Sequence, residues 1–189
     1  MKQITDILAL SFWLFLAGLR LGQAVLQHNP LALLLAVQAG LVACALAVRR
    51  ADVAEIPLTR KLVAWGSALL PFALQVRQPP GAFQIGMAIA GLALAAWGLL
   101  SLGKSFGVAP ADRGLVLHGP YRFLRHPIYA GELLAVLAVL LGNETPGNAL
   151  AVGLLLGSVL LRIRWEERAL GGYCGYAHRT RWRLLPGVW

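Results

Sequence analysis

Apolar and polar residues follow one another along this chain in long blocks. Six apolar runs, separated by segments rich in charged residues, glycine and proline, cover 4–26, 30–48, 62–76, 82–102, 128–141 and 149–163. The first, second and fourth approach the roughly 20 residues that a helix needs to cross a bilayer, whereas the others have about 15. The pattern predicts an all-α polytopic integral membrane protein with about six, that is five to six, membrane helices.

Composition supports this class and argues against a nucleic-acid partner. Hydrophobic residues make up 58% of the 189 residues and charged residues only 13%, which is more apolar surface than a soluble core of this size can bury. The formal net charge of +9 comes from basic residues in loops beside apolar runs. In such positions they set topology and meet anionic lipid head groups, so we expect membrane lipids and no nucleic acid as partners.

The basic residues also predict an orientation. Arg77 is the only Lys or Arg in the loops of one side, and Arg20 lies inside the first run. Because Lys and Arg in short loops favour the cytosolic side, both termini are predicted to be cytosolic. The fifteen basic residues assigned to that side are Lys2, Arg49, Arg50, Arg60, Lys61, Lys104, Arg113, Arg122, Arg125, Arg162, Arg164, Arg168, Arg179, Arg181 and Arg183.

We expect one domain over 1–189, with N-terminal helices in 1–102 and a catalytic half in 103–189, because polar and aromatic residues concentrate after position 103. Glycines four apart, Gly18 with Gly22 and Gly153 with Gly157, predict close helix contacts. Arg20 is expected to extend its side chain toward the outer interface.

The stretch GPYRFLRHPIYAGELL predicts the start of a helical hairpin. Proline is favoured at the first position of a helix, so Pro127 begins a helix with His126 at its cap. Residues 142–148, GNETPGN, form a turn, and a second helix returns over a similar length. Arg125 and His126 should therefore lie at the same depth as Glu166 and Glu167 at the end of that helix.

Two further charged residues lie at matching depths on the two helices of this hairpin, farther from its open end. Glu132 lies just over one turn beyond Pro127, and Arg162 lies one turn before Glu166. Ionisable groups inside membrane helices usually face protein or a water-filled cavity, so both are predicted to line one polar pocket. The alternative is a buried structural ion pair.

These residue types suit a zwitterionic ligand. Backbone N–H groups at the helix start can take a carboxylate, and Glu166 can take an ammonium. Tyr121 and Tyr129 can flank a flat base or a cation. The sequence has no Cys and His spacing for zinc, no glycine-rich phosphate loop and no serine elbow, and no metal is predicted.

Three segments carry a family resemblance. GLVLHGPYRFLRHPIYAGELL, followed by RIRWEERAL and YCGYAHRTRWRLLPG, resembles the isoprenylcysteine carboxyl methyltransferase family and its phospholipid methyltransferase relatives over 104–187. The resemblance implies a membrane enzyme that transfers methyl from S-adenosylmethionine to a lipophilic acceptor. The chain is shorter than family members between Glu167 and Tyr173, so the lid over the cofactor is expected to be built differently.

The resemblance also implies roles for individual residues. Arg162 is expected to hold the acceptor. An amine or thiol substrate would need a proton acceptor, and the mechanism, not the resemblance, makes Glu132 the nearest candidate. The hairpin geometry adds Arg125 and Glu167 to the cofactor contacts that the resemblance implies. The predicted cofactor-binding residues, at a cytosolic pocket, are Leu115, Val116, Tyr121, Arg125, His126, Pro127, Ile128, Tyr129, Glu166 and Glu167.

The acceptor itself stays open at this point. A carboxylate O-methyltransferase of the isoprenylcysteine type is expected, with a phospholipid or small amine or thiol methyltransferase as the alternative. A non-catalytic membrane protein or permease is the alternative from another class. The acceptor is expected to enter from the bilayer, and no obligate protein partner is inferred.

Overall fold

The fold is helical throughout the part of the chain that the structure describes. The computed structural model describes residues 4–48, 57–106 and 114–189. Lys2, Arg49, Arg50 and Arg113, which entered the predicted orientation, lie outside these ranges. Within them the α-helices are α1 (Ile4–Gln27), α2 (Pro30–Val48), α3 (Leu58–Ala73), α4 (Ala82–Leu102), α5 (Pro127–Gly142), α6 (Pro146–Ala169) and α7 (Tyr173–Arg179). The predicted all-α class is confirmed, and the β-contact between Leu124 and Trp182 is an isolated bridge.

Four of these helices are long and apolar enough to cross a bilayer. They cover Ile7–Gln27, Pro30–Val48, Ala82–Ser105 and Pro146–Ala169. Helices α3 and α5 have 16 residues each, or about 24 Å at about 1.5 Å per residue. Four of the six predicted spans therefore have the length and composition of a complete span, and the other two helices are short.

Helix α6 is longer than its apolar run predicted. It begins at Pro146, where the side chain of Thr145 accepts a hydrogen bond from the backbone N–H of Asn148 at 3.1 Å. It continues through the charged sequence RWEER as far as Ala169. Glu166 and Glu167 consequently lie on the last turn of a 24-residue helix.

The tightest helix crossing joins α4 to α5. A Cβ atom added to Gly91 would lie 2.6 Å from the carbonyl oxygen of Gly131 and 2.7 Å from the backbone nitrogen of Ala135. Near the start of α5, a Cβ on Gly98 would meet the Ile128 side chain at 2.8 Å. Only glycine allows the two backbones to approach this closely, and the contact fixes the start of α5 against α4.

The glycine pairs that the sequence singled out do not make such a contact. A Cβ on Gly18, Gly22, Gly153 or Gly157 would meet no atom within 4 Å. All four lie on exposed faces of α1 and α6. The prediction of close packing there was wrong because small residues permit a close approach but do not bring a neighbouring helix to it.

Arg20 is buried, and its predicted extension toward the outer interface stays a prediction. Its Nη2 atom donates to the carbonyl oxygens of Phe72 at 2.6 Å, Pro71 at 3.2 Å and Leu74 at 3.3 Å. Carbonyls at the end of a helix lack intrahelical partners and carry partial negative charge. Arg20 therefore ties α1 to the end of α3.

Two asparagines join the hairpin turn to the segment between α3 and α4. Asn148 accepts from the backbone N–H of Gln75 at 2.8 Å and donates to its carbonyl at 3.0 Å. The side-chain oxygen of Asn143 accepts from the N–H groups of Arg77 at 2.7 Å and Gln78 at 2.8 Å. These contacts fix the turn of the hairpin, at the opposite end from Glu166.

The α4–α5 crossing yields a matched pair of substitutions. Gly131→Ala should lower the free energy of unfolding by about 1–3 kcal/mol, because the new methyl group overlaps the α4 backbone. Gly153→Ala is the control, since its methyl group meets open space and alanine favours a helix by about 1 kcal/mol. Thermal unfolding of both variants in detergent measures the difference. Equal midpoints would contradict the crossing described above.

Candidate active site

The hairpin of α5 and α6 brings His126 against the two glutamates. His126 Nδ1 lies 3.5 Å from Glu166 Oε2, and His126 Nε2 lies 3.4 Å from Glu167 Oε1. The His126 side chain is only 5% exposed. The predicted meeting of positions 126 and 166–167 is confirmed. The longer α6 returns from the turn past the start of the 16-residue α5, so its last turn lies beside His126.

The carboxylate of Glu167 is the most heavily bonded group in this region. Arg183 donates to both of its oxygens, from Nε at 2.7 Å and from Nη2 at 2.9 Å. Tyr173 donates its hydroxyl at 2.7 Å, and Arg125 Nη1 donates at 3.3 Å. Glu167 therefore joins the segment before α5 to α7 and to the C-terminal residues.

Glu166, on the same helix turn, is connected through Tyr129 to Arg162. Its Oε1 atom accepts the hydroxyl of Tyr129, and the guanidinium of Arg162 lies 4.7 Å from the centroid of the Tyr129 ring. Arg162 Nη1 also donates to Ser67 Oγ of α3 at 3.0 Å. This chain of contacts runs from the end of α6 to a point one helical turn deeper.

A cavity of about 180 Å³ connects these groups to an apolar region. Its polar end lies between Tyr121, His126 and Glu166, and Glu132 and Arg162 line the same cavity at a deeper level, as predicted. Its apolar arm lies among helices α1 to α4. That arm is lined by Trp13, Leu35, Ala39, Val42, Ala68, Phe72, Leu92, Ala95 and Leu99, among others.

Ten of the twelve predicted site residues line this cavity. Pro127 does not, because as the first residue of α5 it is buried at the α4 crossing. Glu167 does not line it either, since its carboxylate is turned into the network described above. The residues that do are Leu115, Val116, Tyr121, Arg125, His126, Ile128, Tyr129, Glu132, Arg162 and Glu166.

The backbone at the start of α5 is less available to a ligand than expected. The N–H group of Arg125 donates to Trp182 O at 2.8 Å, and that of His126 donates to Arg183 O at 3.0 Å. These two donors are therefore occupied by the C-terminal residues. Arg125 Nε, in contrast, is buried beside the cavity and has no hydrogen-bond partner among the described residues.

The electrostatics of the polar end favour a protonated imidazole. Burial alone lowers the pKa of His126, but the hydrogen bonds and charges of Glu166 and Glu167 outweigh it, so that the pKa is raised from its usual value. Burial raises the pKa of Tyr173 and brings that of Tyr176 to about 12. Both tyrosines thus stay protonated, and Tyr176 donates to Tyr121 O at 2.9 Å.

Sequence reasoning missed several residues that shape this site. Ser67 carried a signal, as a lone hydroxyl within an apolar run, but not the information that it faces Arg162. Trp13 lines the cavity from α1, a helix for which the sequence predicted no site residue. Arg183 looked like one of many basic tail residues, and only the fold shows its paired contact with Glu167.

The polar groups of this cavity fit a cofactor with both charged and flat parts. A carboxylate, an imidazole and a buried, unsatisfied guanidinium nitrogen stand at one end, with Tyr121 beside them. Fold and cavity together define a helical membrane protein with a cavity that is polar at one end and apolar at the other.

Comparison with known families agrees with this class. Residues 81–173 match the family model for phospholipid methyltransferase. The match supports the family predicted from the sequence, and it includes α4, which lay outside the predicted resemblance. No curated protein matches the chain.

The raised pKa of His126 predicts a pH-dependent stability. Its charged contacts should contribute fully below the unfolded pKa of about 6.5 and be lost as pH rises through the higher folded pKa. At pH 6, His126→Gln should lower the free energy of unfolding by about 1.5–3 kcal/mol, and the difference should shrink toward pH 9.

Thermal unfolding across this pH range measures the effect. His178→Gln is the control, because His178 is exposed and has no ionic partner among the described residues. A difference between wild type and His126→Gln that stays constant with pH would contradict the expected charge on His126.

Proposed function

We propose that this protein is an S-adenosylmethionine-dependent methyltransferase that acts on a lipophilic acceptor in the membrane. The observation that carries the proposal is a cavity that has both a charged end, beside His126 and Glu166, and an apolar arm. A polar cofactor and a lipophilic acceptor need two such environments in contact. The phospholipid methyltransferase match supports the same reaction class.

The polar end has residues suited to each part of the cofactor. S-adenosylmethionine, when bound, supplies a methyl group that is activated by its attachment to a positively charged sulfur. Glu166 would accept the ammonium group, and Arg125 Nε would donate to the carboxylate. Tyr121 would flank the base, with Leu115 and Val116 providing apolar contacts.

The acceptor end has its own charged group. Arg162, positioned by Ser67 and by the face of Tyr129, would orient a carboxylate without need of a base. An amine or thiol acceptor has a proton to lose, and Glu132 in the same cavity would receive it. The apolar arm would exclude water and align the acceptor, which is the main lever for a displacement reaction.

The proposed orientation in the membrane comes from the distribution of Lys and Arg. With both termini on the cytosolic side, the cofactor would enter from the cytosol and the acceptor laterally from the bilayer. We favour a carboxylate O-methyltransferase of the isoprenylcysteine type, because Arg162, which would orient a carboxylate, lines the cavity. The whole chain, 1–189, would form one domain. The family match favours a phospholipid acceptor as the second candidate.

Binding of S-adenosylhomocysteine to the purified protein tests the cofactor end. Glu166→Gln and His126→Ala should each weaken binding at least about tenfold, because each removes a charge-assisted contact of about 1.5–3 kcal/mol. Glu144→Gln and His178→Ala are matched controls, since both residues are exposed and do not line the cavity. Calorimetric affinities within twofold of wild type for the first pair would overturn this site assignment.

Transfer of a labelled methyl group identifies the acceptor. Membranes that contain the protein should label an extracted lipid-linked carboxylate and not small thiols. Label in phospholipid head groups would favour the second candidate instead. Absence of cofactor binding, together with solute flux in liposomes, would support a permease and contradict an enzyme.

A further inference from the structure

Arg183, beyond the end of α7, is fixed by contacts on three sides. Its guanidinium forms a two-pronged contact with both oxygens of Glu167, at 2.7 and 2.9 Å. Its carbonyl accepts the N–H of His126 at 3.0 Å, and its own N–H donates to Trp189 O at 2.8 Å. The guanidinium also lies 4.8 Å from the centroid of the Trp189 ring. Such a residue has little freedom, although its side chain is 30% exposed.

Residues 180–189, which we call the C-terminal strap, hold the start of α5 through the main chain as well. Arg125 donates its backbone N–H to Trp182 O at 2.8 Å and its Nη2 to Arg181 O at 2.6 Å. Leu124 and Trp182 form the isolated β-bridge. The strap therefore reaches His126 by two routes, one through the backbone and one through Arg183 and Glu167.

Neighbouring glutamates on α6 have different tasks in this arrangement. Glu166 lines the cavity, whereas Glu167 faces the strap and lies 3.4 Å from the imidazole of His126. The same imidazole lies 3.5 Å from Glu166. A displacement of Glu167 is thus passed to His126 and from there to the cavity.

We propose that Arg183 is a positioning residue, which acts through Glu167 to hold His126 and Glu166 in the geometry that binds the polar end of the ligand. This inference rests on the proposed function for the identity of that ligand. The indirect contact of Arg183 with His126, through Glu167, is independent of the proposed function. Arginine is required because a planar fork engages both carboxylate oxygens, whereas lysine is a single point charge.

Loss of the Arg183 guanidinium should raise the pH at which His126 titrates. The charged and titratable groups that face the imidazole are Glu166 and Glu167 of α6, with the Tyr129 ring stacked at 5.9 Å. Without Arg183, Glu167 loses a positively charged partner. Its negative charge then stabilises the protonated imidazole of His126 more strongly. The His126 titration should therefore move to higher pH in Arg183→Gln.

The test combines ligand affinity with this titration. Arg183→Gln should weaken S-adenosylhomocysteine binding about tenfold, and Arg183→Lys should recover only part of the loss. Arg179→Gln is the matched control, because Arg179 is an exposed arginine at the end of α7. The double variant with Glu167→Gln should bind no more weakly than the worse single variant, because both residues act along one route.

The titration of His126, followed by NMR of histidine-labelled protein and assigned with His126→Gln, keeps the inference testable on its own. An upward shift in Arg183→Gln but not in Arg179→Gln supports it, even if the wild type binds no S-adenosylhomocysteine and the proposed function fails. If Arg183→Gln does not fold, the same two measurements are made on Arg183→Met, which also removes the positive charge but keeps an unbranched side chain. An unchanged titration, or an affinity within twofold of wild type in the folded variant, overturns the proposal.

Discussion

The burial of one carboxylate shapes this molecule. Removing a charged group from water is costly unless donors replace the lost hydration, and Glu167 receives them from Arg125, His126, Tyr173 and Arg183. These donors belong to the segment before α5, to α7 and to the C-terminal strap. Satisfying the charge of Glu167 therefore closes distant parts of the chain around the end of α6.

This closure leaves Glu166 directed toward the cavity. Consecutive residues on a helix point in directions about 100° apart, so the pair can serve two environments from one turn. Glu167 faces the strap, and Glu166 meets Tyr129 and His126. The α4–α5 crossing at Gly91 and Gly131 sets where the start of α5 stands against its neighbours. The ligand site thus depends on a glycine contact deep in the bundle as much as on its own charges.

The sequence was sufficient to predict features that depend on local length and spacing. The hairpin follows from two apolar runs of similar length and a turn rich in glycine, proline and asparagine, and this alone aligned His126 with Glu166. Pro127 marked the first residue of α5 correctly.

Features that depend on which helices become neighbours could not be predicted in this way. Nothing local distinguishes Gly131, which needs its close contact, from Gly153, which faces open space. The contacts of Arg20 could not be predicted for the same reason, since its partners are the carbonyls at the end of α3, more than fifty positions away. The pairing of Arg183 with Glu167 likewise becomes visible only when the strap folds back onto the start of α5.

The apolar arm of the cavity is lined largely by helices that precede the stretch matched by the family model. Trp13 of α1, Leu35 and Ala39 of α2, and Phe72 of α3 all line it, and all lie before residue 81. The charged end, from Tyr121 to Glu166, lies within the matched stretch. Under the proposed function, changes in the first three helices would alter which hydrocarbon shapes are admitted and leave the charged residues intact, so that substrate range and reaction chemistry could diversify independently.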